Sequence, residues 1–225
     1  MSIQIHTDLE QGTEEWLAVR RGMVTASVVG QLVTAKTLKP AANDYSRALT
    51  NLLVAERITG WTDPVYVSDD MFRGTVDEPV ARDIYAKHYK VDVVEVGFMV
   101  RNEVDWRLGY SPDGLVGDDG LIEIKSRKSK KQLATILADE VPPENMAQIQ
   151  AGLLVSGRQW CDYVSYCAGM PLYVKRVYPD ARWHEAIVEA VKEFEATANQ
   201  MTHVYRLVSK DMHMTERTVE LEMVI

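Results

Sequence analysis

The chain has 225 residues, 46% hydrophobic and 26% charged, with 13 Gly and 8 Pro. This composition excludes disordered, collagen-like and low-complexity chains and allows a sizeable core without a disulfide or zinc staple. A net charge of −8 argues against a uniformly basic nucleic-acid binder, so any phosphate contact must come from local clusters.

The N-terminal run MSIQIHTDLEQ is polar, and no apolar run approaches the roughly 20 residues that cross a bilayer, so a soluble protein without a targeting signal is expected. Thr13, followed by Glu14 and Glu15, caps a helix to about Arg21, and Thr25 opens a short second helix through Leu32. Residues 35–43, with Pro40, read as a loop. Asn43 caps a third helix that turns Leu49, Leu52, Leu53 and Ile58 to one side and ends at Gly60. A fourth helix is expected from Glu78 to Tyr89, with Pro79 in its first turn. Residues 91–125 switch to short β-branched runs broken by Gly, Asn and Asp, the pattern of a β-meander.

Helices are expected over Ser129–Asp139 and Pro143–Ser156, then strands around Trp160–Cys167 and Leu172–Tyr178. A long helix follows from Asp180 to about Tyr205. Met146, Ile149 and Leu153, and later Ile187, Val191, Phe194 and Ala198, recur at helical spacing as core positions. The order predicts an α+β (mixed α/β) fold, a central sheet flanked by helices. Residues 1–205 form one unit, and 206–225 an extension whose alternating end, Thr218 to Ile225, reads as an added strand or an intersubunit arm. Cys161 and Cys167 lie six residues apart on one strand, about 20 Å, and cannot bond to each other, which fits a reduced, intracellular protein. The five histidines show no metal-ligand spacing.

Chemistry concentrates between Ser111 and Lys125. Gly117-Asp118-Asp119-Gly120 signals a tight turn, so the segment folds as a hairpin that brings Asp113 opposite Ile124, within a step of Glu123. A period of two then places Glu123 and Lys125 on one face and Ile122 and Ile124 on the other. Two carboxylates with a lysine beside them suit a hard cation such as Mg²⁺, the ammonium orienting water or stabilising charge on a phosphate. The same residues also fit a surface cross-strand ion pair. The five basic residues from Lys125 to Lys131, and the pair Arg20 and Arg21, fit either a solvated face or a phosphate-binding one.

Five blocks in order carry a family resemblance: Trp16 to Ser27, Arg73 to Glu78, Ser111-Pro112-Asp113-Gly114, Glu123-Ile124-Lys125, and Ala147 to Gln150. Together they make the chain resemble the phage lambda exonuclease family of viral recombination nucleases (YqaJ-type), within the PD-(D/E)xK superfamily. The resemblance implies a restriction-endonuclease-like fold with Asp113, Glu123, the Ile124 carbonyl and Glu78 as metal ligands, Glu78 directly or through water. It implies Lys125 as catalytic lysine and Gln148 positioning Lys125 or the attacking water. Arg20, Thr25, Ser27 and Ser111 would hold a terminal 5′-phosphate, Met71 would wedge the duplex end, and Lys36, Lys39, Arg127 and Lys128 would contact DNA.

The implied activity is Mg²⁺-dependent 5′→3′ digestion of double-stranded DNA ends, with Mn²⁺ as a substitute, leaving 3′ overhangs for recombination. The implied setting is a homotrimer with a single-strand annealing protein as partner, phage- or prophage-encoded and acting in the host cytoplasm. A PD-(D/E)xK endonuclease or junction resolvase shares Asp113, Glu123 and Lys125 without needing the phosphate pocket, and an inactive end-binding protein would not need the intact triad. Ser126-Arg127 departs from the small or apolar residue and proline the family often has after the Glu-x-Lys element.

Overall fold

The computed structural model describes residues 2–217. Its centre is a five-stranded mixed sheet in the order β10-β9-β8-β7-β4. These strands are β4 (Val93–Val94), β7 (Gly114–Val116), β8 (Gly120–Ser126), β9 (Trp160–Tyr166) and β10 (Tyr173–Val177). Only the β8–β9 pair is parallel, and the crossover between those strands carries helices α5 (Ser129–Ala138) and α6 (Pro143–Ser156). Alternation along β8 divides the core. Ile122 and Ile124 pack with Val164 against Ala81 and Tyr85 of α4 (Asp69–Tyr89). Leu121 belongs to the main core, with Ile149 and Leu153 of α6 and Ile187, Val191 and Phe194 of α7 (Ala181–Val208).

Residues 91–125 do not form one meander. β5 (Phe98–Asn102) and β6 (Arg107–Tyr110) leave the central sheet and join β1 (Ser2–His6) in a separate sheet ordered β1-β5-β6. That arrangement needs a pairing across nearly 100 residues, which local pattern does not encode. α1 (Glu14–Arg20), capped by the Thr13 side chain accepting from Trp16 N, packs Trp16 and Val19 against Phe98, Val100 and Met23. α2 (Ala26–Val29) is shorter than expected, and the expected loop at 35–43 contains a small hairpin, β2 (Val33–Thr34) with β3 (Lys39–Pro40).

α3 (Asp44–Thr59) has the expected cap at Asn43, completed into a capping box by Ser46, and a left-handed Gly60, but Leu52 faces water while Val54 and Glu56 are buried. α4 starts nine residues before the expected Glu78, because Ser68 caps it by accepting from Met71 N and Asp69 and Asp70 favour its first turn. Pro79 is therefore in the helix interior, on its exposed side, where water can replace the lost backbone donor. Both cysteines are free and buried. The expected C-terminal boundary at 205 falls inside α7, and Thr218 to Ile225 lies outside the described residues.

Candidate active site

β7 and β8 pair with Val116 opposite Gly120 and Gly114 opposite Ile122. The connection is a three-residue loop, so the ladder meets one step from the expected register and leads Asp113 towards Glu123. Asp113 Oδ2 accepts from Ile124 N at 2.6 Å, anchoring the carboxylate on the strand that carries Glu123 and Lys125. Glu123 is fully buried. Lys125 Nζ lies 2.7 Å from Glu123 Oε1, off the direction a hydrogen bond requires, so Oε1 has a neighbouring charge but no directed donor among the described residues. Tyr110 OH approaches the other oxygen at 3.4 Å, and the Lys125 ammonium also donates to Gln148 Oε1 at 3.1 Å.

The electrostatics follow from crowding like charges away from water. Burial, then the nearby charge of Glu123, holds the Asp113 carboxyl well above the usual carboxylate range. Burial pulls the Lys125 ammonium down, but the Glu123 and Asp113 carboxylates outweigh it and raise its pKa. Glu78, on α4 at the rim, is also raised, first by burial and then by Glu123 and Glu95 against the lowering effect of Arg82. Arg82 pins this rim: it donates to Glu78 Oε1 at 2.5 Å and to the Asp113 carbonyl at 2.8 Å, and pairs with Glu95 Oε2 at 2.7 Å.

Among the described residues no three His, Cys, Asp or Glu side chains converge closely enough to hold a metal ion unaided. The donors present still fit a hard divalent cation, since the part-buried Asp113 and the buried Glu123 offer only oxygens on adjacent strands and leave one oxygen without a directed donor. Such an ion keeps several waters and needs only one or two carboxylates plus substrate phosphate.

A cavity of about 150 Å³ opens from this cluster, with Asp113 and Gln148 on its wall. Arg20, Thr25, Ser27 and Ser111 line the same cavity. The Arg20 guanidinium stacks on the Trp16 ring, 4.0 Å from its centroid, and donates to no described residue. Burial lowers its pKa, partly offset by Glu56. Thr25 and Ser27 hydroxyls share a 3.1 Å hydrogen bond, and Trp16 Nε1 donates to Ser111 Oγ at 3.1 Å. α2 has only four residues, so the hydroxyls rather than a helix dipole give this wall its polarity.

The other expected DNA-contact residues lie elsewhere. Met71, Arg127 and Lys128 line a wider groove of about 770 Å³ that begins at Ser126, one residue beyond Lys125. Within it Lys128 pairs with Asp70 at 2.8 Å, and Arg127 turns inward to Asn145 Oδ1 at 2.6 Å and the Tyr163 hydroxyl at 3.2 Å. The basic run from Lys125 to Lys131 is thus not one solvated face. Lys36 and Lys39 are exposed on the β2–β3 hairpin and do not line the cavity. Trp16, Arg82 and Tyr110 are neighbours of the site not singled out by sequence. The i,i+4 pairs Trp16–Arg20 and Glu78–Arg82 were the available signals for the first two.

Comparison with known proteins gives the family and the fold. The family model for the YqaJ-like viral recombinase domain matches residues 15–159. The chain is 34% identical to an alkaline exonuclease, LHK-Exo, from Laribacter hongkongensis, with a TM-score of 0.78 over 88% of this chain and 99% of that one. A second structure of LHK-Exo, in complex with dAMP, gives a TM-score of 0.77 over the same shares at the same 34% identity. A phage-related exonuclease from Haemophilus somnus 129PT is 12% identical, with a TM-score of 0.60 over 81% of this chain and 96% of that one, and shows likeness of fold alone. No curated protein matches the chain. The mixed α+β architecture is that of these PD-(D/E)xK-like exonucleases. Among the described residues no helix is long and apolar enough to cross a membrane.

Proposed function

The chain belongs to the YqaJ-like viral recombinase family, and from that premise we propose that it is a nuclease of phage recombination. In this reading it is a Mg²⁺-dependent exonuclease that degrades double-stranded DNA from 5′ ends and leaves 3′ overhangs. The observation that carries it is the single cavity joining Arg20, Ser27 and Ser111 to Asp113 and Gln148. An internal-cutting enzyme does not need a pocket for a terminal phosphate beside its carboxylates.

Asp113 and Glu123, with the Ile124 carbonyl, would hold a divalent cation, Mn²⁺ substituting for Mg²⁺, with Glu78 reaching it directly or through water. That cation supplies positive charge at the scissile phosphate. Lys125, held between Glu123 and Gln148, directs a free donor at the attacking water or at charge growing on the phosphate. The Arg20 fork and the hydroxyls of Thr25, Ser27 and Ser111 receive the terminal phosphate, fixing the next phosphodiester over the carboxylates. Met71 splays the duplex end, Arg127 and Lys128 guide one strand beyond the site, and Lys36 and Lys39 meet the duplex backbone. The nuclease unit runs to the end of α7 at Val208, with the remaining C-terminal residues as an extension. The assembly is a homotrimer enclosing DNA in the host cytoplasm, handing its overhang to a single-strand annealing protein.

End-labelled linear duplex and covalently closed circles, each with and without Mg²⁺, test the reading. Linear duplex should lose nucleotides from 5′ ends only with the metal, and circles should survive. Cleavage of closed circles would replace the exonuclease with an endonuclease or resolvase.

A further inference from the structure

A guanidinium that is mostly removed from water and donates to no described residue is costly unless something else supports its charge. Arg20 is in that position: apart from the charge of Glu56, its contact is the face of one indole, Trp16, 4.0 Å from the guanidinium carbon. A face-on stack leaves the in-plane N–H donors unused, whereas a carboxylate partner would occupy them and compete with any anionic ligand. The same indole donates Nε1–H to Ser111 Oγ at 3.1 Å. An oxygen accepting there has its own O–H proton free to donate elsewhere, and Ser111 lines the same cavity as Arg20.

Trp16 is itself held. Its ring meets Phe98 edge-on, with centroids 6.5 Å apart and planes at 76°. Phe98 is buried against Gly109, where an added Cβ would come within 2.4 Å of Phe98 Cζ. The order of support therefore runs from a glycine on β6, through Phe98 on β5, to Trp16 on α1, and then to two polar groups of the cavity.

We infer that Trp16 is the positioning residue for terminal-phosphate recognition: one indole aims the Arg20 fork with its face and orients the Ser111 hydroxyl with its N–H. This rests on the terminal-phosphate reading of the cavity given above. The two support modes separate by substitution. Trp16→Phe keeps an aromatic face and loses the N–H, whereas Trp16→Leu loses both.

The test measures kcat/KM on linear duplex with a 5′-phosphate and with a 5′-hydroxyl, and, in EDTA, binding of the same two ends by fluorescence anisotropy. The quantity read is the phosphate-to-hydroxyl ratio, because general damage to the fold lowers both numbers together. Trp16→Leu should lower the ratio by about tenfold in both assays, and Trp16→Phe should fall between it and the wild type. A Trp16→Leu ratio equal to the wild type, or an equal loss on both ends, overturns the inference. A wild-type ratio near one instead removes the terminal-phosphate reading, a failure visible before any variant is made. If Trp16→Leu does not fold, the Trp16→Phe ratio decides: an unchanged value overturns the N–H role and with it the two-group model.

Discussion

Two buried carboxylates occupy adjacent strands of the central sheet and live in opposite ways. Asp162 on β9 is saturated: Tyr85 OH donates to Oδ2 at 2.7 Å, and Arg176 binds both oxygens at 2.8 and 2.9 Å while stacking 3.6 Å from the Trp160 centroid. Glu123 on β8, on the other face of the sheet, has an oxygen without a directed donor and a second, part-buried carboxyl, Asp113, beside it. Both are almost completely buried, so burial does not separate them. Satisfaction of their oxygens does. A carboxylate whose acceptors are filled by its own chain has nothing left to offer a ligand, whereas one left short is poised for a cation.

The largest expected effect breaks the comparison by exchanging the two behaviours. Asp113→Asn, Glu123→Gln and Lys125→Ala should each cut turnover by about a thousandfold or more while the protein stays folded and binds DNA. For Glu123→Gln, relief of the repulsion with Asp113 is opposed by loss of the ion pair with Lys125, so thermal stability should change little. Mg²⁺ should raise the melting temperature of the wild type but not of Glu123→Gln. Near-normal digestion by Asp113→Asn would remove the cluster from the chemistry.

Asp162→Asn should show the reverse pattern. It weakens the contacts to Arg176 and Tyr85, and because Arg176 is partly in water the cost should be about 2–3 kcal/mol of unfolding free energy, read from urea denaturation. Turnover below the melting transition should change little. Comparable losses of activity from Asp162→Asn and Glu123→Gln would mean that oxygen satisfaction does not distinguish a structural from a functional carboxylate here.

What was legible in the sequence follows the range of the forces involved. The caps at Thr13, Asn43 and Gly60, the helical spacing of Met146, Ile149 and Leu153 and the alternation of Ile122, Glu123, Ile124 and Lys125 are local, and they located α1, α3, α6 and the chemistry-bearing face of β8. β1, an exposed strand whose partner is β5, carried no local signature of that pairing. α4 was shortened because Pro79 suits a first turn, although Ser68-Asp69-Asp70 was the stronger start signal. In the candidate site, the carboxylates and the lysine were readable from spacing. Trp16 meeting Ser111 across 95 positions was not, because it depends on how α1 is laid against β5 and β6.

A smaller effect sharpens the Glu123 side of the comparison. Gln148 accepts from Lys125 at 3.1 Å while the same ammonium lies 2.7 Å from Glu123 Oε1, so two groups fix its place. Gln148→Ala should lower kcat about tenfold with little change in DNA affinity, and Gln148→Glu should lower it further by trapping the ammonium in a second ion pair. A normal kcat for Gln148→Ala would show that Glu123 alone aligns Lys125.

The smallest effect sharpens the Asp162 side through pH. Burial, then its hydrogen bond to Asp162 and the charge of that carboxylate, raise the Tyr85 hydroxyl well above the ordinary tyrosine range. A group whose folded pKa is raised contributes stability that is complete below its unfolded pKa, about 10 for tyrosine, and is lost as pH rises from there towards the folded value. Above pH of about 10 the unfolded chain gives up this proton while the folded chain retains it, so stability falls by at most about 1.4 kcal/mol per pH unit from this group. Tyr85→Phe removes the proton and therefore the slope. At neutral pH the variant should be less stable by about 1 kcal/mol, since Asp162 Oδ2 loses one donor but keeps Arg176. Urea midpoints from pH 7 to 11 should then converge above pH 10, the wild type descending faster than Tyr85→Phe. Parallel descent of the two curves would show that the Tyr85 proton is not held by Asp162, and that the saturation of this carboxylate rests on Arg176 alone.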